Sequence, residues 1–238
     1  MRRRDPERLD RLVQAATDVF IDVEFERAKI GDVARHARMA TGTVYLYFKD
    51  KEGLFEVAFL RACESPLVAR LELPYRRAIG PATRAQLENA VEAIANFPQL
   101  WVAGQRRNVV DGVTEYSGIL LEISAWVSRY RPAILIAHRN RQGRPELQRA
   151  FDRLVWRDLE ARLAAHVETR TRTGLLGAIG DPAAIAALAL DTLAGALLGN
   201  PVHAVPADPG RGAALAARLL VPAPTLSGHL PLPADPVE

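Results

Sequence analysis

The sequence holds one cysteine, Cys63, among 238 residues. A single thiol can form no intrachain disulfide and cannot build a cysteine-based zinc site, so Cys63 reads as a small buried hydrophobe. Lysine is nearly as scarce: of the 31 basic residues only Lys29, Lys49 and Lys51 are lysines. No apolar run follows Arg2-Arg3-Arg4, so no secretory signal is expected. The most apolar stretch, Ala183 to Gly199, is short for a membrane span, carries Asp191 in its middle and is rich in alanine rather than leucine. It is expected to be a buried or dimer-forming helix in a cytoplasmic protein with no membrane partner. His36, His138, His166, His203 and His229 show no metal-ligand spacing. There is also no glycine-rich phosphate loop and no nucleophile elbow. Glu160 and His166 could meet in a core, but nothing singles them out. No catalytic residue, no metal site and no cofactor is therefore expected. The net charge of +3 is too small to imply nucleic acid by itself, so any basic surface must be local.

What the chain does have is helical spacing, with no β-strand alternation long enough to matter and no repeat. Leu9, Leu12, Val13, Ala16, Val19, Phe20 and Val23 form one face of an amphipathic helix. Asp5-Pro6 suits its start, with Asp5 as cap and Pro6 in the first helical position. Ile30, Val33, Ala34 and Ala37 repeat the pattern over a shorter span. Val44 and Phe48, four apart, mark a third helix about three residues further on, which is helix-turn-helix spacing. Asp50 can cap a fourth helix with Leu54, Phe55, Ala58 and Phe59 on its apolar face. After breaks at Pro66, Pro74, Gly80 and Pro81, longer helices are expected over 83–97, over 114–130 with an interruption at Pro132, from Pro145 to a stop at Gly174, and from Asp181-Pro182 to Gly199-Asn200-Pro201. The tail from Pro201 onward holds half of the 16 prolines; Ala213 to Val221 is expected to be helical and residues 223–238 disordered. The expected fold is all-α: a three-helix helix-turn-helix head over 1–50 joined to a larger helical body over 51–222.

Charge concentrates on the head. Between Arg27 and Lys51 stand six basic residues, Arg27, Lys29, Arg35, Arg38, Lys49 and Lys51, against two acidic ones, Asp32 and Asp50. Acidic residues outnumber basic ones before Arg27. A phosphate-binding face is expected on that segment. A recognition helix docks by its N-terminal end, which here reads Ala40-Thr41-Gly42-Thr43. The small residues allow close approach, the helix amides can meet a phosphate, and Thr43 supplies a hydroxyl. Val44 and Phe48 are expected in the core. Thr43 and Tyr47, also four apart, are expected together on the outer face, with Tyr45 between the two.

The segment from Ile30 to Phe59 resembles the N-terminal signature of the TetR family of bacterial transcriptional repressors. Asp32-Val33-Ala34 matches the second-helix pattern, Gly42, Thr43, Val44, Tyr45, Tyr47 and Phe48 match the third, and Lys51 matches the lysine that opens the fourth. The chain departs from the family at Glu24, where glycine is common, at Ala28, where threonine precedes the second helix, and at Arg38-Met39-Ala40, where Gly-Val-Ser is common. Arg38 is a candidate to replace the lost serine contact by meeting phosphate. The resemblance implies a double-stranded DNA operator contacted by Lys29, Arg38, Ala40, Thr41, Gly42, Thr43, Tyr45, Tyr47 and Lys51. It implies a homodimer packed through the last two long helices. It also implies a small-molecule effector bound in the body, with Trp101, Tyr116, Trp126, Tyr130, Phe151 and Trp156 as candidate lining residues. His138, Arg139 and Arg141 read as a solvated helix end. The competing readings are an all-α enzyme and a DNA-binding protein that answers to no ligand.

Overall fold

A computed structural model describes residues 5–77, 81–106, 109, 111–177 and 180–198. Described residues form α-helices α1 (Pro6–Asp22), α2 (Ile30–His36), α3 (Thr41–Tyr45), α4 (Lys51–Ala62), α5 (Pro81–Ile94), α6 (Pro98–Gln105), α7 (Gly112–Arg129), α8 (Arg131–Arg139), α9 (Pro145–Phe151), α10 (Arg157–Arg172) and α11 (Pro182–Leu198). A 3-10 turn spans Pro66–Arg70, and a π turn, Asp152–Trp156, joins α9 to α10 without a break. Among the described residues there is no strand, and no helix is long and apolar enough to cross a membrane. The expected stop at 199–201, the helix at 213–221, the body's end at 222 and the tail lie outside the described residues.

The helix starts follow from the chain's own caps. The Asp5 carboxylate accepts from Glu7 N–H at 3.0 Å, with Pro6 in the first turn, and Asp50 accepts from Gly53 N–H at 2.7 Å. Asp111 accepts from Val113 and Thr114 N–H, and Asp181 from Ala183 and Ala184 N–H. Each satisfies amides that the first turn leaves without partners. The ends are less obvious. Three helices close with a residue in the left-handed region: Arg38 (φ 56°), Glu64 (φ 53°) and Gly174 (φ 73°). In each, the following N–H reaches back over the turn: Met39 to Ala34 O, Ser65 to Leu60 O and Leu175 to Arg170 O, at 2.8–2.9 Å. This is a Schellman cap, and only one of the three carries the glycine that usually sits there.

Helix α4 joins the two parts. Every residue from Gly53 to Leu60 is buried, because α1 covers one side and α5 and α8 cover the other. Head and body therefore share one hydrophobic core, which runs from Leu12 to Leu193. Asn140, at the end of α8, fastens the body to the head. It is 3% exposed; its Oδ1 accepts from Phe25 N–H, and its Nδ2 donates to Phe20 O at 3.0 Å and Ile136 O at 2.8 Å. Phe20, Phe25 and Phe55 pack with ring centroids 5.0–5.8 Å apart, and the Phe25 ring lies between Lys51 Nζ and the Arg144 guanidinium at 4.3 and 4.1 Å. Cys63 is buried, and burial pushes its thiol up to about 12.

Candidate nucleic-acid interface

Helices α2 and α3 are too short to hold shape alone; their positions come from what they pack on. Val33, Ala34, Ala37, Val44 and Phe48 enter the core over α1 and α4. Asp32 Oδ2 accepts from Lys29 N–H at 3.0 Å, half of a capping box that replaces the missing threonine. At the other end of α2, His36 Nε2 lies 3.2 Å from Asp18 of α1. The turn that follows needs a positive φ, and Arg38 adopts it. Glu24, the other position where the family favours glycine, does the same at φ 66°. Both departures in sequence thus leave the backbone geometry intact.

With the core side fixed, Arg38, Thr41, Gly42, Tyr45, Leu46 and Lys49 are exposed at spacings of three and four, a continuous stripe across the turn and α3. Ala40 and Lys29 are exposed beside it, and Thr43 is half-buried. A Cβ added at Gly42 would meet nothing within 4 Å, so nothing inside the protein calls for glycine there. Lys49, one of the basic residues of the expected phosphate-binding segment, belongs to this surface, as does Leu46, 60% exposed, which sequence reasoning did not name.

One expected contact is corrected, and a second has acceptors inside the protein. Tyr47 is 4% exposed and its hydroxyl donates to Asp5 O at 3.4 Å, so it belongs to the core and not to the outer face. The reason is that α3 ends at Tyr45. Tyr47 N–H and Phe48 N–H both reach Val44 O at 2.9 Å, and this tightened turn rotates Tyr47 inward. Lys51 is half-buried at the start of α4. Its Nζ donates to Phe25 O at 2.8 Å and Ala28 O at 3.1 Å, pinning the α1–α2 loop to the start of α4.

The six aromatic candidates of the body do not share a pocket. Trp101 is 57% exposed beneath Arg162, while Tyr116 and Phe151 are fully buried apart from each other, Tyr116 against His166 and Phe151 against Phe59. Only Trp126, Tyr130 and Trp156 come together, with Phe97, at centroid distances of 5.2–5.8 Å, and the Trp126 indole donates to Ile94 O. None of the six lines either of two cavities of about 460 and 470 Å³. The first lies between α5 and α9–α10, with Arg84, Glu88, Arg149 and Arg157 on its walls. The second lies between α6 and α7, with Pro98, Val102, Ala103, Arg106, Glu115 and Ile119 among its lining.

Helix α6, not foreseen in the sequence, is held by both ends. The Glu122 carboxylate accepts from Gln99 and Leu100 N–H at 2.9 and 3.2 Å. The Arg170 guanidinium donates to Ala103 O at 2.8 Å and Arg106 O at 3.2 Å, and also to Glu115 at 2.7 Å. His166, buried beside Glu115 at 3.7 Å, has its pKa lowered mainly by burial. It meets Glu115 and not Glu160. Among the described residues no group of three or more His, Cys, Asp or Glu could hold a metal.

A helix-turn-helix head with an exposed stripe is carried on an all-α body. Residues 12–58 match the family of bacterial regulatory proteins, tetR family. Solved structures share the fold along nearly the whole chain. The ketosteroid transcriptional regulator KstR2 of Mycobacterium tuberculosis is 13% identical, with a TM-score of 0.56 over 93% of this chain and 98% of that one. A TetR-like transcriptional regulator from Rhodococcus sp. RHA1 is 18% identical, with a TM-score of 0.52 over 92% and 96%. The TetR family regulator PfmR of Thermus thermophilus is 16% identical, with a TM-score of 0.50 over 89% and 97%. No curated protein sequence matches the chain.

Proposed function

We propose that the chain is a homodimeric repressor that a small-molecule effector releases from a palindromic operator. The observation that carries this reading is the stripe of Arg38, Thr41, Gly42, Tyr45, Leu46 and Lys49, turned to solvent from a helix whose other side is locked in the core. Two copies related by a two-fold axis would set two such stripes into successive major grooves, roughly 34–36 Å apart. Ala161 and Ala165 of α10 and Ala184, Leu188 and Gly195 of α11 lie at least partly open to solvent on the single chain. These uncharged positions, small apart from the apolar Leu188, suit close packing of α10 and α11 against the same helices of a second copy.

The cavity between α6 and α7 is the effector site in this reading. Pro98, Val102, Ala103, Gly118 and Ile119 give it an apolar wall, with Arg106 and Glu115 as polar partners. The effector acts by binding the DNA-incompetent arrangement of the heads more tightly than the competent one; equal affinity for both would shift nothing.

The deciding experiment is selection of duplexes from a genomic fragment library by the purified protein at near-physiological salt. Enrichment of one palindrome, with a dimer mass by light scattering, is the expected result. Retention without sequence preference that salt abolishes would overturn the regulator reading and leave only a basic surface.

A further inference from the structure

The chain does not pass directly from α4 into the body. After the turn at Glu64 and the 3-10 turn, residues 71–77 run back along α4 to its N-terminal end and meet the segment that leaves α3. Lys49 N–H donates to Tyr75 O at 2.8 Å, and Tyr75 N–H donates to Tyr47 O at 2.7 Å. Together they make a parallel bridge between Phe48 and Tyr75, the one isolated bridge among the described residues.

The surface of α4 is shaped to receive this segment. A Cβ on Gly53 would stand 3.1 Å from Tyr75 Cδ1, 3.3 Å from Arg77 N and 2.9 Å from Asp50 Oδ1. All three approaches are tighter than side chains normally allow, so glycine is what lets this segment lie against the cap of α4. One turn further along the same side, Glu56 is 2% exposed, with Arg77 Nε 3.9 Å from its carboxylate. Burial raises the Glu56 carboxyl above the usual range, and the neighbouring Tyr75 hydroxyl and Arg77 pull it partly back.

Helix α3 has five residues, and Ala40 gives it no side-chain cap. A helix that short is oriented by whatever holds its two ends. The turn at Arg38 holds one end. The other is held by Tyr75, from a segment that continues through 78–80 into α5 of the body.

We propose that residues 71–77 form a strap by which the body sets the orientation of the recognition helix, with Tyr75 and Gly53 as positioning residues for DNA binding. This rests on the regulator reading above and adds a hydrogen-bonded route from body to head beside the covalent one through α4.

The test uses the full-length protein and the duplex that wild type selects. Affinity for that duplex and for an unrelated duplex of the same length is compared in wild type, Gly53→Val, Tyr75→Ala and Tyr75→Phe, alongside amide hydrogen exchange at Lys49 and Tyr75. Both amides exchange slowly in wild type. Displacing the strap in Gly53→Val speeds their exchange and cuts the ratio of selected to unrelated affinity tenfold or more, with the far-UV circular dichroism unchanged. Tyr75→Ala does the same more mildly, and Tyr75→Phe restores the ratio. If Gly53→Val does not fold, Tyr75→Ala decides. Fast exchange at Lys49 and Tyr75 in wild type, or freed amides with an unchanged affinity ratio, would overturn the strap while leaving the regulator reading in place. A wild-type protein that selects no duplex would instead remove the regulator reading itself.

Discussion

Tyr45 and Tyr47 stand two residues apart and face opposite ways: Tyr45 is 47% exposed on the recognition stripe, and Tyr47 is 4% exposed against α1. Their substitutions therefore separate binding from stability. Tyr45→Ala is expected to weaken operator binding roughly five- to tenfold, about one hydrogen bond's worth, with little change in Tm. Tyr47→Phe loses only the hydroxyl contact with Asp5 O and should change stability by less than about 1 kcal/mol, with DNA affinity unaltered. Fluorescence anisotropy on a selected duplex and thermal melts of both variants check this.

Lys49 and Lys51 divide in the same way. Lys49 is exposed with no ion-pair partner among the described residues. Removing it should lower the slope of log affinity against log salt by about 0.9, the share of one phosphate contact. Lys51→Met should leave that slope unchanged and cost about 1–3 kcal/mol of stability, because Phe25 and Ala28 lose their donor and the Phe25 ring loses one of its two cations. A salt titration of both variants distinguishes the roles.

Arg38 occupies a glycine conformation. Arg38→Gly is expected to raise stability by up to about 1 kcal/mol in chemical denaturation, since the left-handed backbone costs an L side chain about that much. The same change removes a guanidinium from the stripe and should weaken DNA binding. A variant that is both more stable and a poorer binder is the signature of a contact residue placed on a strained turn.

The buried group around Arg170 governs α6. Arg170→Met strands the Glu115 carboxylate and frees the carbonyls of Ala103 and Arg106, so a loss of about 3–5 kcal/mol is expected on unfolding in urea. His166 supplies a pH dependence. Its folded pKa is depressed by burial, with Arg170 acting in the same direction and Glu115 opposing. Below its ordinary value near 6.5 the unfolded chain binds a proton that the folded chain does not, so stability falls as pH drops from there toward the folded pKa and is unaffected above. His166→Leu should flatten that part of the curve relative to wild type.

The head is readable because its signals are local. The α1 face, the caps at Asp5 and Asp50 and the apolar repeat of α2 all lie within a few residues of what they specify. Tyr47 defeats the sequence pattern because the end of α3 depends on pairing with Tyr75, far along the chain, and the i, i+4 rule assumes the helix goes on. Lys51 does so because its acceptors are backbone carbonyls that only folding brings near. In the body the helix from Pro145 is visible, but the π turn inside it has no sequence signal of its own. Helix α6 escapes notice because it is short and its ends are held by Glu122 and Arg170 from other helices. The aromatic residues show apolarity but not address: Trp126 takes its place from a hydrogen bond to Ile94 O.

The scarcity of lysine has a practical consequence. Lys29, Lys49 and Lys51 are the only side-chain amines in the sequence, and all three sit in or at the edge of the head. Lys29 and Lys49 are open to solvent, whereas Lys51 commits its protons to two carbonyls. An acylating reagent would therefore mark two of the three quickly and the third slowly, while the arginine-rich body stayed unmarked. The labels on Lys29 and Lys49, located by peptide mass with and without a duplex present, would read the occupancy of the head, with no dye and no engineered residue.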